Sequence, residues 1–246
     1  MSEPRIPRLP PEALELLDDP QLADLRPRPA NLPRAGKTLM PSNPAKAGES
    51  RFVVIRTDFD YVQPSNVVWV NQPNPPGWLG HGAGFASLRG GRPRFTEDQP
   101  RPAQVSGGWN YASWMIVSPR FAATIRRFDP DVIETVEIDW EFADGQKLEG
   151  YAFLDVTRLL HAYDYRRSVA HVKIHESGQK FIHLGAPTAL KADLPANVHV
   201  FREAYFRGDV FCSRELAKAL LEAEPHGFYF ADPASGLVSL SELGPS

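Results

Sequence analysis

The stretch from Val198 to Asp232, VHVFREAYFRGDVFCSRELAKALLEAEPHGFYFAD, constrains the fold most, because strand, turn, strand, helix and strand signals follow one another within it. Val198, Val200 and the bulky run to Phe206 predict one strand, Gly208-Asp209 a turn, and Val210-Phe211-Cys212 a second strand. Ser213 predicts a helix start. Its hydroxyl can accept an unpaired amide proton of the first turn, Glu215 sits where the helix dipole favours an acid, and Leu216, Leu220 and Leu221 form one apolar stripe. Pro225 and Gly227 end the helix, and Phe228-Tyr229-Phe230 supplies a further strand.

The same order occurs earlier. Ile116, Ser118, Phe121, Ile125, Asp129 and Pro130 stand 95 positions before Phe211, Ser213, Leu216, Leu220, Glu224 and Pro225. Pro119 strengthens this first copy, since proline is favoured at the first helical position, where its missing amide proton is not needed. Two related strand-helix-strand units are therefore expected.

A 42% hydrophobic content over 246 residues is enough for a real core. There is no apolar run long enough to span a membrane, and the N-terminus, MSEPRIPRLPPEALELLDDP, lacks the apolar centre of a signal peptide. A single cysteine, Cys212, rules out an intrachain disulfide framework and suits a reducing compartment, so a cytoplasmic location is expected. With 27 basic and 30 acidic side chains the net charge is -3, which gives no global field for nucleic acid. The charges are unevenly placed: Asp129 to Glu149 holds eight acids against one base, Lys147. Such a run suits a solvated sheet edge, or a docking surface for a basic partner.

Residues 1 to 50 contain ten of the 24 prolines and predict an extended arm, with one short helix at Pro11 to Asp18. Phe52 to Thr57 and Asn66 to Val70 read as strands. Asn71 to Pro102 is a long glycine- and proline-rich loop. Gly80, Gly82 and Gly84 in it lack the following helix and later acid of a dinucleotide fingerprint. Trp78, His81 and Phe85 either form an exposed aromatic contact site or pin the loop down. Val132 to Phe142 alternates with period two, one face apolar and the other carrying Glu137, Asp139 and Glu141; Asp144-Gly145 then predicts a hairpin returning along Gly150 to Val156. Thr157 to Tyr163 reads as a short helical turn, and His171 to His175 with Phe181 to Leu184 as another hairpin.

Sets of residues that could carry chemistry are incomplete. His171, Lys173 and His175 share a strand face with His183 across the hairpin, but no cysteine or acid at ligand spacing joins them. Cys212 stands beside a helix N-terminus, where a thiol pKa can fall, yet Val210 and Phe211 suggest burial. His226 lies at the helix's far end, beyond reach of it. Ser118 and Ser213 are explained as caps. No catalytic residue, metal site or cofactor is expected.

From about Trp114 to Asp232 the chain resembles the immunity protein 11 family of bacterial polymorphic toxin systems. The resemblance lies in Val117-Ser118-Pro119-Arg120-Phe121 and its helix, Glu149 to Val156, Val200-Phe201-Arg202, and Val210 to Leu216 leading to His226-Gly227-Phe228. The motifs are short, and their order carries the specificity. The first hundred residues are longer than the usual family start, and Cys212 stands where valine is common. The resemblance implies a cytoplasmic protein that neutralises a cognate toxin by stoichiometric binding, with no catalysis, and it does not name the toxin. An inhibitor or chaperone of a secreted protease is the alternative, and a small cytosolic hydrolase using Cys212 a further one.

The expected fold is α+β: a mixed or antiparallel sheet with two main helices from two similar strand-helix-strand units, preceded by an extended Pro-rich arm over residues 1–50. Residues 51–246 are expected to form one domain, with N-terminal strands and the Gly/Pro-rich loop over 51–102 and the family-like core over 103–232. Expected partner contacts are Glu137, Asp139, Glu141, Trp78, His81 and Phe85, facing a protein toxin or secreted enzyme, with no nucleic acid and no membrane.

Overall fold

A computed structural model describes residues 9–29, 31–57, 67–72, 82–85, 88, 91–102, 105–111, 114–238 and 243. Its helices are α1 (Pro11–Leu17), α2 (Pro119–Phe128) and α3 (Arg214–Ala223). The strands before α2 are β1 (Gly36–Leu39), β2 (Phe52–Thr57), β3 (Val68–Trp69), β4 (Arg94–Thr96), β5 (Gly108–Tyr111) and β6 (Trp114–Val117). Between α2 and α3 lie β7 (Ile133–Glu137), β8 (Asp139–Glu141), β9 (Ala152–Val156), β10 (Leu159–Leu160), β11 (Tyr163–Asp164), β12 (Val169–Ile174), β13 (Lys180–Gly185), β14 (Ala189–Leu190), β15 (Val200–Glu203) and β16 (Val210–Ser213). β17 (Phe228–Asp232) and β18 (Gly236–Leu237) follow α3. The fold is α+β, with several mixed and antiparallel sheets.

The residues group into two compact units, one of 1–51, 161–194 and 232–236, the other of 52–160, 195–231 and 237–246. In the first, β1 pairs antiparallel with β12 and β12 with β13, while β11 pairs with β14. Part of the proline-rich segment is thus a strand within a sheet, where an extended arm was expected. Its α1 is held by Lys180, whose Nζ donates to the Leu17 carbonyl at 2.7 Å, and by the ion pairs Glu12–Lys191 and Glu15–Arg166. Residues 161–194 keep company with this segment in one unit, although sequence reading put them in the same domain as everything after residue 50.

In the second unit a four-stranded sheet runs β5-β6-β9-β7 and a six-stranded one β10-β15-β16-β2-β17-β18. The central strands are reached from opposite directions along the chain. β9, between β6 and β7, follows both; β2, between β16 and β17, precedes both. The pairings correspond position by position: Ile116 lies opposite Phe153 and Phe211 opposite Val54; Ile133 lies opposite Val156 and Phe228 opposite Thr57. Ser118 and Ser213 each cap a ten-residue helix, accepting the amide protons of Phe121 and Leu216, both at 3.1 Å.

Alternation along β9 explains why every residue in it is buried. Leu154 and Val156 face a cluster in which Val53, Met115, Val210 and Phe230 of the two sheets meet Phe121, Ile125, Leu216 and Leu220 of α2 and α3. Phe153 faces the other way, into an aromatic cluster with Trp114, Trp69, Phe95 and Trp140. That cluster is closed by a small three-stranded sheet, β3-β4-β8.

Two local expectations are corrected. Leu159 and Leu160, expected in a helical turn, form a strand parallel to β15, because the Arg202 and Ala204 amides donate to the Arg158 and Leu160 carbonyls, both at 2.8 Å. The alternating run from Val132 to Phe142 is two strands. β7 pairs with β9, whereas β8 leaves that sheet to lie parallel to β4. The expected hairpin still forms: the turn at Asp144-Gly145 brings Lys147 back opposite Glu141, the Leu148 amide donates to the Trp140 carbonyl, and the return strand β9 pairs with β7.

Candidate functional site

β8 displays its side chains alternately. Ile138, Trp140 and Phe142 are buried, while Glu137, Asp139 and Glu141 are exposed, as the period-two pattern requires. Register extends this across the small sheet: Trp69, Phe95 and Trp140 form an inward row, and Val68, Thr96 and Glu141 an outward one. Arg94 lies beside Asp139 on the outer face. Val68 and Val70, at the same sheet, are 59% and 54% exposed, so apolar surface remains in water next to charged groups.

The acidic run has cationic neighbours that linear order conceals. Arg92 pairs with Glu137 and lies 3.7 Å from Asp139. The outer groove, of about 490 Å³, is lined by Glu137, Asp139, Glu141 and Glu149 but also by Arg92, Arg94 and Lys147. It is a mixed-charge groove with a small acidic excess, floored by Phe95 and Trp140. These exposed ion pairs contribute little to stability, since solvent screens them and their side chains lose freedom in pairing. Their place on a solvent-facing sheet leaves them available to a partner.

Of the aromatic loop residues, Trp78 and His81 fall outside the described residues. Phe85 is 5% exposed and stacked on Phe153 at 6.1 Å between ring centroids. It pins the loop and is not the surface contact expected of it. The backbone beside it is held by carboxylates. Asp155, wholly buried, accepts the Gly82 amide at 2.9 and 3.0 Å and the Gly84 amide at 2.8 Å, while Glu134 accepts the Phe85 amide at 2.9 Å. Gly84 has φ +68°, and a Cβ there would lie 2.3 Å from a Glu134 oxygen. The Gly82, Gly84 and Phe85 amides are thus occupied from within the protein and do not face a phosphate. Arg202 completes the arrangement, Nε donating to Asp155 at 2.9 Å and a terminal nitrogen to the Arg207 carbonyl at 2.8 Å. Sequence gave no hint of this pairing, because the partners come from distant strands.

The reactive side chains do not converge. Cys212 is fully buried in the helix-facing core, and burial pushes its thiol pKa well above the ordinary value, which removes the nucleophilic thiolate. The hydrolase reading based on it is therefore corrected. His199 Nδ1 lies 3.1 Å from Ser213 Oγ and 4.0 Å from a Glu215 oxygen. One ring nitrogen faces both serine and acid, whereas a relay needs the acid on the nitrogen opposite the serine. Ser118 donates to Glu224 at 2.6 Å, an acid where a relay places a histidine. Burial, with a smaller contribution from Glu224, raises Tyr151 to about 12, and its hydroxyl donates to the Ser106 carbonyl. Among the described residues no group of three or more His, Cys, Asp and Glu side chains could hold a metal ion. His171 and His183 do face each other across β12 and β13, and His171 Nδ1 lies 2.8 Å from Thr38 Oγ1.

No curated protein matches the chain. Residues 39–235 match a family of immunity proteins, a span that reaches well upstream of the 114–232 on which the sequence resemblance rests and takes in β2, β3 and β4. With most of its length matched in this way, the chain belongs to the Imm11 immunity protein family.

Proposed function

We propose that the chain neutralises a cognate protein toxin by stoichiometric binding in the bacterial cytoplasm, without chemistry of its own. Family membership carries this reading. The sealed position of Cys212 and the capping roles of Ser118 and Ser213 agree with it. Production of the chain together with a candidate cognate toxin should restore growth and yield a complex of fixed stoichiometry on size-exclusion chromatography. Rescue with the toxin chemically altered and no complex formed would instead identify an enzyme.

The outer face of β3-β4-β8, carrying Asp139 and Glu141, together with Glu137 at the end of β7, is the proposed docking surface. It combines exposed valines with charges, and its small acidic excess favours a basic partner. Replacing the three acids by Gln, Asn and Gln should lower the association rate at low salt while leaving the fold intact. An unchanged rate removes this face. We also read the two strand-helix-strand segments as copies of one ancestral unit, supported by their matched capping and register.

A further inference from the structure

The first unit carries a second open groove, chemically unlike the mixed-charge one. It has a volume of about 410 Å³ and is lined by Pro33, Arg34, Lys173, Phe181, Ile182 and His183, without a carboxylate. Strand register builds it. Lys173 of β12 lies between Gly36 of β1 and Phe181 of β13, and His183 lies opposite His171 one row further along the same face. A Cβ at Gly36 would sit 3.3 Å from Lys173 Cγ, so the lysine stem lies along β1. The Arg34 guanidinium stands over the Phe181 ring, 5.2 Å from its centroid, a contact that holds the cation at the groove.

Four cations of this unit, Lys37, Arg166, Arg167 and Lys191, are paired with acids, namely Asp24, Glu15, Glu49 and Glu12. Arg34 and Lys173 differ from these in sharing one groove that no carboxylate lines. Among the described residues, Arg34 and Lys173 have neither a hydrogen-bonded nor an ion-paired partner, and both are exposed. Two permanent cations on a half-apolar sheet face, in a groove lined by no carboxylate, form a local positive patch in a chain of net charge -3.

From this geometry we infer that the outer face of β1-β12-β13 is a docking site for an extended acidic segment of a protein partner. Carboxylates from the segment meet the Arg34 fork and the Lys173 ammonium, and its intervening side chains rest on Phe181 and Pro33. A protein segment fits better than nucleic acid because backbone recognition draws on several phosphate contacts, and two fixed cations supply few. The site rests on the toxin-binding reading only for the identity of the partner.

The test uses the full chain and a fluorescein-labelled peptide of alternating glutamate and threonine, read by anisotropy at low and at physiological salt. The wild-type chain should bind it in a salt-sensitive manner, and the R34Q/K173Q variant about tenfold more weakly. A peptide with glutamine for glutamate should not bind. K173R should retain binding, and an unchanged circular dichroism melt should show that the double variant is folded. Equal affinity of wild type and R34Q/K173Q would overturn the proposal, as would stronger binding of a single-stranded oligonucleotide than of the peptide. Because this assay contains no toxin, its result stands apart from the growth-rescue experiment.

Discussion

Asp155 shows how much a single buried group can organise. Its carboxylate holds two loop amides and the Arg202 guanidinium, a cation whose pKa burial draws down while Asp155 acts against that. Asp155→Ala strands a buried cation together with orphaned amides and should destabilise the chain by about 3–5 kcal/mol in urea unfolding. Replacing both partners by Leu and Met should cost less, since no unpaired charge remains and the orphaned groups, among them the Gly82 and Gly84 amides, are neutral. Cys212 makes a different prediction. Its pKa is raised above the ordinary value of 9.0, so its contribution is fully present below that pH. As pH rises further the unfolded thiol releases its proton while the folded one retains it, and stability declines at up to about 1.4 kcal/mol per pH unit. Unfolding followed between neutral and alkaline pH should show this slope, and Cys212→Val should remove it.

Ser118 and Ser213 cap equivalent helices but differ in surroundings. Ser213→Ala should cost about 1 kcal/mol by thermal or denaturant unfolding. Ser118→Ala should cost more, because the second bond it removes, at 2.6 Å to the Glu224 carboxylate, is shorter and charge-assisted, whereas Ser213 meets His199 at 3.1 Å. Both helices were legible in sequence, since capping and apolar spacing are local. So was the alternation that exposes Glu137, Asp139 and Glu141. What sequence could not disclose was pairing between remote segments: the departure of β8 to β4, the arrival of Arg92 and Arg94 beside the acids, and the Asp155–Arg202 contact. The Leu159-Leu160 strand was missed for a related reason, since two adjacent leucines have no period and only pairing with β15 extends them.

At the scale of the whole molecule, the family match begins at residue 39, yet the residues before it supply α1 and nearly all of β1. Deleting residues 1–40 should leave β12 with a bare edge, lowering the melting temperature and promoting aggregation visible by light scattering. A monomeric deletion variant with an unchanged melt would show that the sheet is complete without β1. The central position of β2 has a consequence in time. Its neighbours, β16 and β17, lie far downstream, so Phe52–Thr57 emerges from the ribosome long before either can pair with it. A nascent chain therefore cannot close this sheet until both later strands have followed, and β2 must spend that interval with its apolar residues unpaired.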